Sequence, residues 1–397
     1  MTAPLPLPAG ERPRVSVLVP AFRPLTLAAC LASLARNLPS EPACEVIASL
    51  NGPNDPLLAA AQGVSGLRTV SSPVNLGFPA GCNLARAVAR GEYLVLLHDD
   101  VEIEPGWLEA LVAAADANPE AGAIGGVDLW PDGTRVQTAG LVWWSDGSFE
   151  LLDQEQPPEH SARRGLHAVD ACSSVALLVR ASTWDAVGGL DDDFFPAGHV
   201  DQDLAMRIRR YGQAVLCEPR ARTRHIRSAG RSAAFKRFTG TRNALRFLER
   251  WGPELAETQE APGERRAAEV ERALQRAETR RRSAAEALGE LPVETPAASG
   301  GPPFTPDATA EEKLAIGLRY SERHLALRIA HEAEVEPALE HFETKAGELQ
   351  GESDRLRAEI ERTQAALDAI VSGGWWRLRE RLLPLARLVA RIRRAVR

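Results

Sequence analysis

Apolar residues follow two rhythms along this chain, and the change between them divides it. In the first half, short continuous apolar runs alternate with stretches of helical spacing. Val15-Ser16-Val17-Leu18-Val19 reads as a strand ended by Pro20, and Thr26 to Leu38 carries apolar residues at Leu27, Cys30, Leu31 and Leu34, on one helical face. Glu45 to Leu50 reads as a second strand, broken by Asn51-Gly52-Pro53, and Leu67 to Val70 as a short third. A turn over Asn75-Leu76-Gly77-Phe78-Pro79-Ala80-Gly81 leads into a helix bearing Cys82, Leu84, Ala85 and Val88. Tyr93-Leu94-Val95-Leu96-Leu97 is then apolar without a break, as a parallel strand buried on both faces must be. Strands alternating with helices predict an α/β fold with a parallel sheet and right-handed crossovers.

The second rhythm starts after Trp251-Gly252-Pro253, where the composition shifts to Ala, Glu and Arg. Glu264 to Leu288 reads as a helix with a thin heptad seam through Ala267, Val270, Leu274, Ala277, Ala284 and Leu288, and Pro292 to Pro306 as a linker. Leu339, Phe342, Ala346, Leu349, Leu356, Ile360, Leu367 and Ile370 then repeat at three-four spacing, interrupted at Ser353 and Thr363. That predicts a coiled coil, either between copies of the chain or packed back on it. The expected divisions are a disordered start over 1–12, a catalytic domain over 13–255, a helical segment over 256–290, a linker over 291–306, a coiled-coil helix over 307–371 and a basic helix over 372–397.

Charge adds a direction. The net charge of −7 over 397 residues argues against nucleic-acid binding by the whole chain. Its C-terminus is nonetheless basic, with Trp375-Trp376 followed by eight arginines from Arg377 onward against one Glu. Two readings stay open: an interfacial helix on anionic lipid, or a helix docked on an acidic protein surface. No stretch reaches the roughly 18 apolar residues of a membrane span, and the N-terminus lacks a signal-peptide pattern. Five scattered cysteines without CxxC spacing fit neither a disulfide framework nor a zinc site. The expected location is therefore cytoplasmic, peripheral to the inner membrane face if the lipid reading holds.

Candidate chemistry clusters where strands end. Ligands bind beyond the carboxyl ends of the strands in open α/β sheets, and there the apolar run of Tyr93 to Leu97 gives way to His98-Asp99-Asp100. Adjacent acids at a strand end suit a hard divalent cation holding a diphosphate, or alternatively a helix start before Pro105. Pro20-Ala21-Phe22 ends the first strand and can wall a flat base, with Phe22 as a stacking face or a core aromatic. Gly77 and Gly81 permit close backbone approach. Farther on, Asp201 and Asp203 lie in the first turn of a predicted helix, where acids also favour the helix dipole. Trp143, Trp144 and Trp184 are candidate sugar platforms or core residues. No GxGxxG follows the first strand, which counts against a nicotinamide-binding fold.

In order and spacing, Val15–Pro20, Asn51-Gly52, Asn75-Leu76-Gly77-Phe78 with Asn83, and His98-Asp99-Asp100 resemble family 2 glycosyltransferases of the GT-A fold. Pro131-Asp132-Gly133 with Gly140, Val175–Arg180, Gly188-Gly189-Leu190-Asp191 and Phe194-Phe195-Pro196 extend the resemblance over roughly residues 13 to 251. It implies a nucleotide-sugar site at Pro20, Ala21, Phe22, Asn51, Asn75, Gly77, Asn83, His98 and Asp99. Asp100 and His225 would hold Mg2+ or Mn2+, and Asp201 would be the general base of an inverting transfer. Apart from the resemblance, the charge of Arg224, Arg227 and Arg231 could serve a diphosphate or an acidic acceptor. The donor would be a UDP- or dTDP-sugar, and the acceptor a cell-surface or lipid-linked glycan of the kind that bacterial rhamnosyltransferase-like enzymes extend. Three departures matter: Asn51 stands where the family has an Asp, His98 where the metal motif has its first acid, and Val200 where the base motif has a Glu. The first bears on the choice between uracil and thymine; His98 and Val200 motivate the alternative of an inactive glycosyltransferase-like scaffold recruiting partners through its coiled coil.

Overall fold

The computed structural model describes residues 5–8, 10–52, 55–160, 164–226, 233–261, 266–288, 303, 305, 307–333 and isolated positions at 355, 358, 361, 362 and 383. The chain divides into two compact units, Met1–Leu327 and Arg328–Arg397.

The first unit is built on one mixed sheet. Its parallel half comprises β1 (Val15–Ala21), β2 (Cys44–Asn51), β3 (Leu67–Ser72) and β4 (Tyr93–Leu97). Between them run α1 (Pro24–Asn37), α2 (Asp55–Gln62) and α3 (Gly77–Arg86). A short β5 (Val101–Ile103) and α4 (Trp107–Ala117) lead to β6 (Ala121–Leu129), whose hairpin partner is β7 (Val136–Thr138). The pair β8 (Leu141–Trp143) and β9 (Phe149–Leu151) stands apart. Next come β10 (His167–Val169), β11 (Ala176–Arg180), α5 (Ala181–Val187), α6 (Val200–Arg210) and the long β12 (Ala214–His225). The strand order is β10-β12-β6-β11-β4-β1-β2-β3, with β5 on β12. β11 runs antiparallel between β4 and β6, so the sheet changes direction beside β4.

Alternation explains why β1 and β4 are buried throughout. Val15, Val17 and Val19 face one apolar layer with α1 and α4, while Leu18 faces the other with α3, α5 and α6. Tyr93, Val95 and Leu97 divide from Leu94 and Leu96 in the same way. The expected strands are all present: β4 has its expected bounds, and β1, β2 and β3 are each two residues longer; β1 runs on through Pro20 to Ala21, and β12 runs on from Ala214 through Pro219 to His225. That second extension carries His225 to the site.

Two expected divisions change. Leu5–Pro6 is not disordered but pairs in parallel with Val64–Ser65, anchored by the burial of Leu7. The catalytic unit also does not end at 255. After α7 (Ala233–Ala256), α8 (Arg266–Glu286) buries Val270, Ala273, Ala277 and Ala284 in this unit. Arg276 and Arg280 of α8 reach the fully buried Asp170 at 2.6 and 2.7 Å. Its thin seam is a docking face for its own domain. A last helix begins at residue 310. In the second unit, residues up to 333 and the isolated positions are helical. The expected seam over 339–370, the basic helix over 372–397, most of the linker, and Arg227 and Arg231 lie outside the described residues. Among the described residues, no helix is long and apolar enough to cross a membrane.

Candidate active site

A cavity of about 400 Å³ opens at the carboxyl ends of β1, β2 and β4. It is lined by Pro20, Phe22, Asn51, Asn75, Gly77, His98, Asp99 and Asp100, together with Phe78 of α3 and Pro196, Ala197 and Gly198 before α6. His225, at the end of β12, completes one side, and Arg23 and Lys236 bring cations to its rim. Eight of the expected nucleotide and metal residues thus meet, with His225, around one space. Ala21 and Asn83 do not line it. Ala21 is buried at the strand end, and both amide atoms of Asn83 hold the backbone of Leu190, at 2.8 and 3.1 Å.

The walls are held by side-chain to backbone bonds. Asn51 donates to Gly77 O at 3.0 Å and accepts from Leu76 N at 3.2 Å, so its amide fixes the turn over the cavity instead of pointing freely at a base edge. Asn75 closes the same turn by accepting from Gly77 N at 2.8 Å. Gly77 has φ of 75°, and a Cβ there would lie 2.8 Å from Pro196 O and 2.9 Å from the Phe195 ring. Only glycine brings the two walls that close. Asp99 accepts from the amides of Phe22 and Arg23, at 2.9 and 3.1 Å, and so pins the end of β1.

Deeper in, His98, Asp100 and His225 place ligand-type atoms within 4.8 Å of one another. His225 Nε2 lies 3.3 Å from Asp100 Oδ1, and His98 Nδ1 lies 3.8 Å from the same oxygen. Gln137 of β7 settles the His225 tautomer. Its Nε2 donates to His225 O at 2.7 Å, so its Oε1, 3.0 Å from His225 Nδ1, must accept there. The Nε2 lone pair then faces a carboxylate oxygen. Two acceptors in contact require a proton or a cation between them. His98 Nε2 is buried without a hydrogen-bond partner among the described residues, and burial beside His225 lowers its pKa to about 4, which keeps one ring nitrogen's lone pair available at neutral pH. These donors fit a divalent cation, and an ion-pair reading alone leaves His98 unexplained.

Asp201 is half-buried in the first turn of α6 and accepts from Ser174 N and Gln202 N, each at 3.1 Å. Asp203 is fully buried and taken by Arg207, Arg250 and Trp251 at 2.8 to 2.9 Å. The sequence offers both acids at one helix start, and only the first stays accessible. Val200, where the resemblance expects a Glu, packs into the core with Leu204. His199 before it takes φ of 60° and wedges its ring between Phe149 and Phe247, fixing where the helix begins. Trp143, Trp144 and Trp184 are at most 3% exposed and belong to the core, so none can serve as a sugar platform in this state. Arg224 pairs with Glu104 at 3.0 Å.

Sequence reasoning missed Gln137, Arg23, Lys236 and Asp128. Asp128, buried at the end of β6, accepts from Thr223 Oγ1 at 2.7 Å; burial pushes its pKa up to about 6, helped by the charge of Asp201. Gln137 and Asp128 carry no local signal, because their partners are 88 and 95 residues away.

A family model described as Glycosyl transferase family 2 matches residues 16–169. That segment is similar to the family 2 glycosyltransferase domain. Over 166 residues it is 35% identical to O-antigen biosynthesis protein RfbC of Myxococcus xanthus, covering 39% of this chain and 12% of that protein. Over 234 residues it is 28% identical to N-acetylglucosaminyl-diphospho-decaprenol L-rhamnosyltransferase of Mycobacterium tuberculosis, covering 51% and 73%. The chain therefore spans only a small part of the first of these and most of the second. Mannosyltransferase PcManGT from Pyrobaculum calidifontis, solved with GDP-Man and Mn2+, aligns at 17% identity and a TM-score of 0.47 over 83% of this chain and 88% of that one. The mixed α/β architecture, with its largely parallel sheet, fits the GT-A fold that the family match implies. The family 2 match includes His98, Asp99 and Asp100 and stops before Asp201 and His225.

Proposed function

We propose that this chain is an inverting, metal-dependent glycosyltransferase that moves a sugar from a nucleoside-diphosphate donor to a hydroxyl of a surface or lipid-linked glycan. The observation that carries this reading is the approach of His225 Nε2 to Asp100 Oδ1 at 3.3 Å beside His98, on the wall of the cavity. Phe22 offers a face for the base, and Arg23 and Lys236 offer charge to the diphosphate. A cation held by His98, Asp100 and His225 would neutralise the diphosphate as it departs. Two imidazoles beside one carboxylate suit Mn2+ better than Mg2+, which prefers oxygen ligands. Asp201 is the base: it takes the acceptor's hydroxyl proton while that oxygen bonds to the anomeric carbon, and the bond from that carbon to the diphosphate breaks on the opposite side. The names of the two bacterial relatives support a polysaccharide acceptor.

The test is hydrolysis or transfer from purified UDP-, dTDP- and GDP-sugars, with Mn2+, Mg2+ or chelator. Turnover of one donor that chelator abolishes and Mn2+ restores best is expected. Failure to bind or turn over any nucleotide sugar would favour the inactive scaffold. We further propose that the arginine-rich end over 372–397 brings the chain to an anionic membrane surface. Truncation after Ser372 should release it from anionic vesicles at low salt; equal sedimentation of both forms would make the tail a protein-docking or oligomer-forming segment instead.

A further inference from the structure

The helix that begins at residue 310 lies far beyond the family-matched span, yet its inner face meets both walls of the cavity. Tyr320, only 1% exposed, donates from its hydroxyl to Asp192 Oδ2 at 2.6 Å. Arg323 pairs with the same carboxylate oxygen, donates to Asp192 O at 2.7 Å and stacks 4.8 Å from the centre of the Phe195 ring. His324 lies edge-on to Phe195 at 4.5 Å, and its Nε2 is 2.9 Å from Asn75 O. Leu76, Ala80 and Leu84 of the turn and α3 share one buried cluster with Phe195, Tyr320 and Leu327. Three side chains of one helix thus hold Asp192 and Phe195 on one wall and Asn75 on the other.

Those walls touch each other as well. Phe78 N donates to Pro196 O at 2.8 Å across the contact that Gly77 makes possible. On the far side, Asn243 of α7 bonds the carbonyls of Phe194, Ala197 and Gly198. The loop from Asp192 to Gly198 is thereby held between two helices. It contributes backbone, not side-chain chemistry, to the cavity, so its position must be fixed from outside. Remote contacts of this kind matter because small misplacements of binding groups cost affinity or rate.

We propose that residues 310–327 are a working part of the donor site: Tyr320, Arg323 and His324 are positioning residues that set the separation of the 75–78 and 192–198 walls at which a nucleoside diphosphate is gripped. This rests on the glycosyltransferase reading for its ligand, and on the contacts alone for its mechanics. It makes the C-terminal region, otherwise an appendage, a determinant of donor affinity.

The experiment uses the full chain carrying Arg323→Ala, Arg323→Lys or Tyr320→Phe. Donor KM, kcat and UDP binding with Mn2+ are measured, together with amide exchange across 75–78 and 192–198. Arg323→Ala should raise donor KM about tenfold and Tyr320→Phe about threefold, with kcat changed less than about twofold. Arg323→Lys should recover part of the loss, since an ammonium reaches the carboxylate but cannot also fork to Asp192 O. Exchange at Phe78 and along 192–198 should rise in step with KM. A helix that only stabilises the fold would lower the active fraction, hence kcat, at unchanged KM, and that result overturns the proposal. Should Arg323→Ala fail to fold, Tyr320→Phe decides by the same criteria. If the wild type binds no nucleotide, the donor reading fails and exchange alone decides: raised exchange in the variants upholds the positioning role, and unchanged exchange removes it.

Discussion

The two ends of the parallel strands each bury acid, and they treat it in opposite ways. At the amino ends, Glu45 is 1% exposed, and its oxygens accept from Ser16 Oγ, the Arg90 amide, the Arg90 guanidinium and Arg68. Burial works against the charge, but Arg90, Ser16 and Arg68 outweigh it and hold the carboxyl below its usual range. At the carboxyl ends, burial raises Asp99 and Asp128, His225 turns its Nε2 lone pair toward Asp100, and His98 Nδ1 lies 3.8 Å from the same oxygen. A saturated carboxylate locks structure. Acids raised by burial and imidazoles gathered beside a carboxylate in a cleft mark a candidate functional site.

The contrast between Asp203 and Asp201 is the same one within a single helical turn, and it gives the largest expected effect. Asp201→Asn keeps shape and loses basicity, so kcat should fall by roughly 10²–10⁴ while donor binding, followed by calorimetry, barely moves. Asp203→Asn should instead be read in stability, because an amide has one acceptor oxygen where the carboxylate has two, so either Arg207 or the Arg250–Trp251 pair is left facing a donor. Preserved turnover in Asp201→Asn would make the accessible acid incidental and break the comparison.

How far the sequence reveals this follows from where its signals are local. Unbroken apolar runs such as Tyr93 to Leu97 need both faces covered, so β1, β2 and β4 are legible, and with them the strand ends carrying Pro20, Asn51 and His98. The juxtaposition of Asp100 and His225 comes from family spacing, not from periodicity. What stays hidden depends on contacts made over long separations. Asn51 looks like a base reader until Leu76 and Gly77 are seen on its amide, and Trp143 looks like a platform until Phe247 of α7 is seen against its ring. Heptad spacing in α8 could not say whether its partner is another chain or Asp170 below it.

Glu45→Gln tests the saturated end. The amide cannot carry the charge that Arg68 and Arg90 share, and both arginines are only half-exposed. A loss of about 2–3 kcal/mol is expected at neutral pH in denaturant unfolding, toward the low side of breaking a buried pair because the arginines can regain some water. The sign with pH follows from the depressed folded-state pKa. The contribution is present above the ordinary Glu range and disappears as pH falls through the folded value, so the variant and wild type should converge in acid. Activity of the remaining folded fraction should stay intact, since Ser16, Arg68 and Arg90, which bond Glu45, do not line the cavity. A large catalytic defect without destabilisation would mean the two ends are coupled.

Asp128→Asn probes the under-satisfied end, and its effect should run the other way. The wild-type carboxyl binds its proton more tightly folded than unfolded, with a pKa of about 6 against 3.8. Between those values the folded state holds the extra proton, so rising pH removes stability until the buried charge is fully formed above about pH 6. The amide has no charge to form. The variant should therefore match wild type below about pH 4 and exceed it increasingly up to about pH 6, levelling at a gain on the order of 3 kcal/mol in chelator, the Thr223 bond to the carboxylate being already contained in the raised pKa. Added Mn2+ should shrink the gain, since a cation beside His225 favours the ionised Asp128 of the wild type. A variant no more stable than wild type at pH 7.5 would mean that Asp128 is as well satisfied as Glu45, and the difference between the two ends would then rest on the histidines alone.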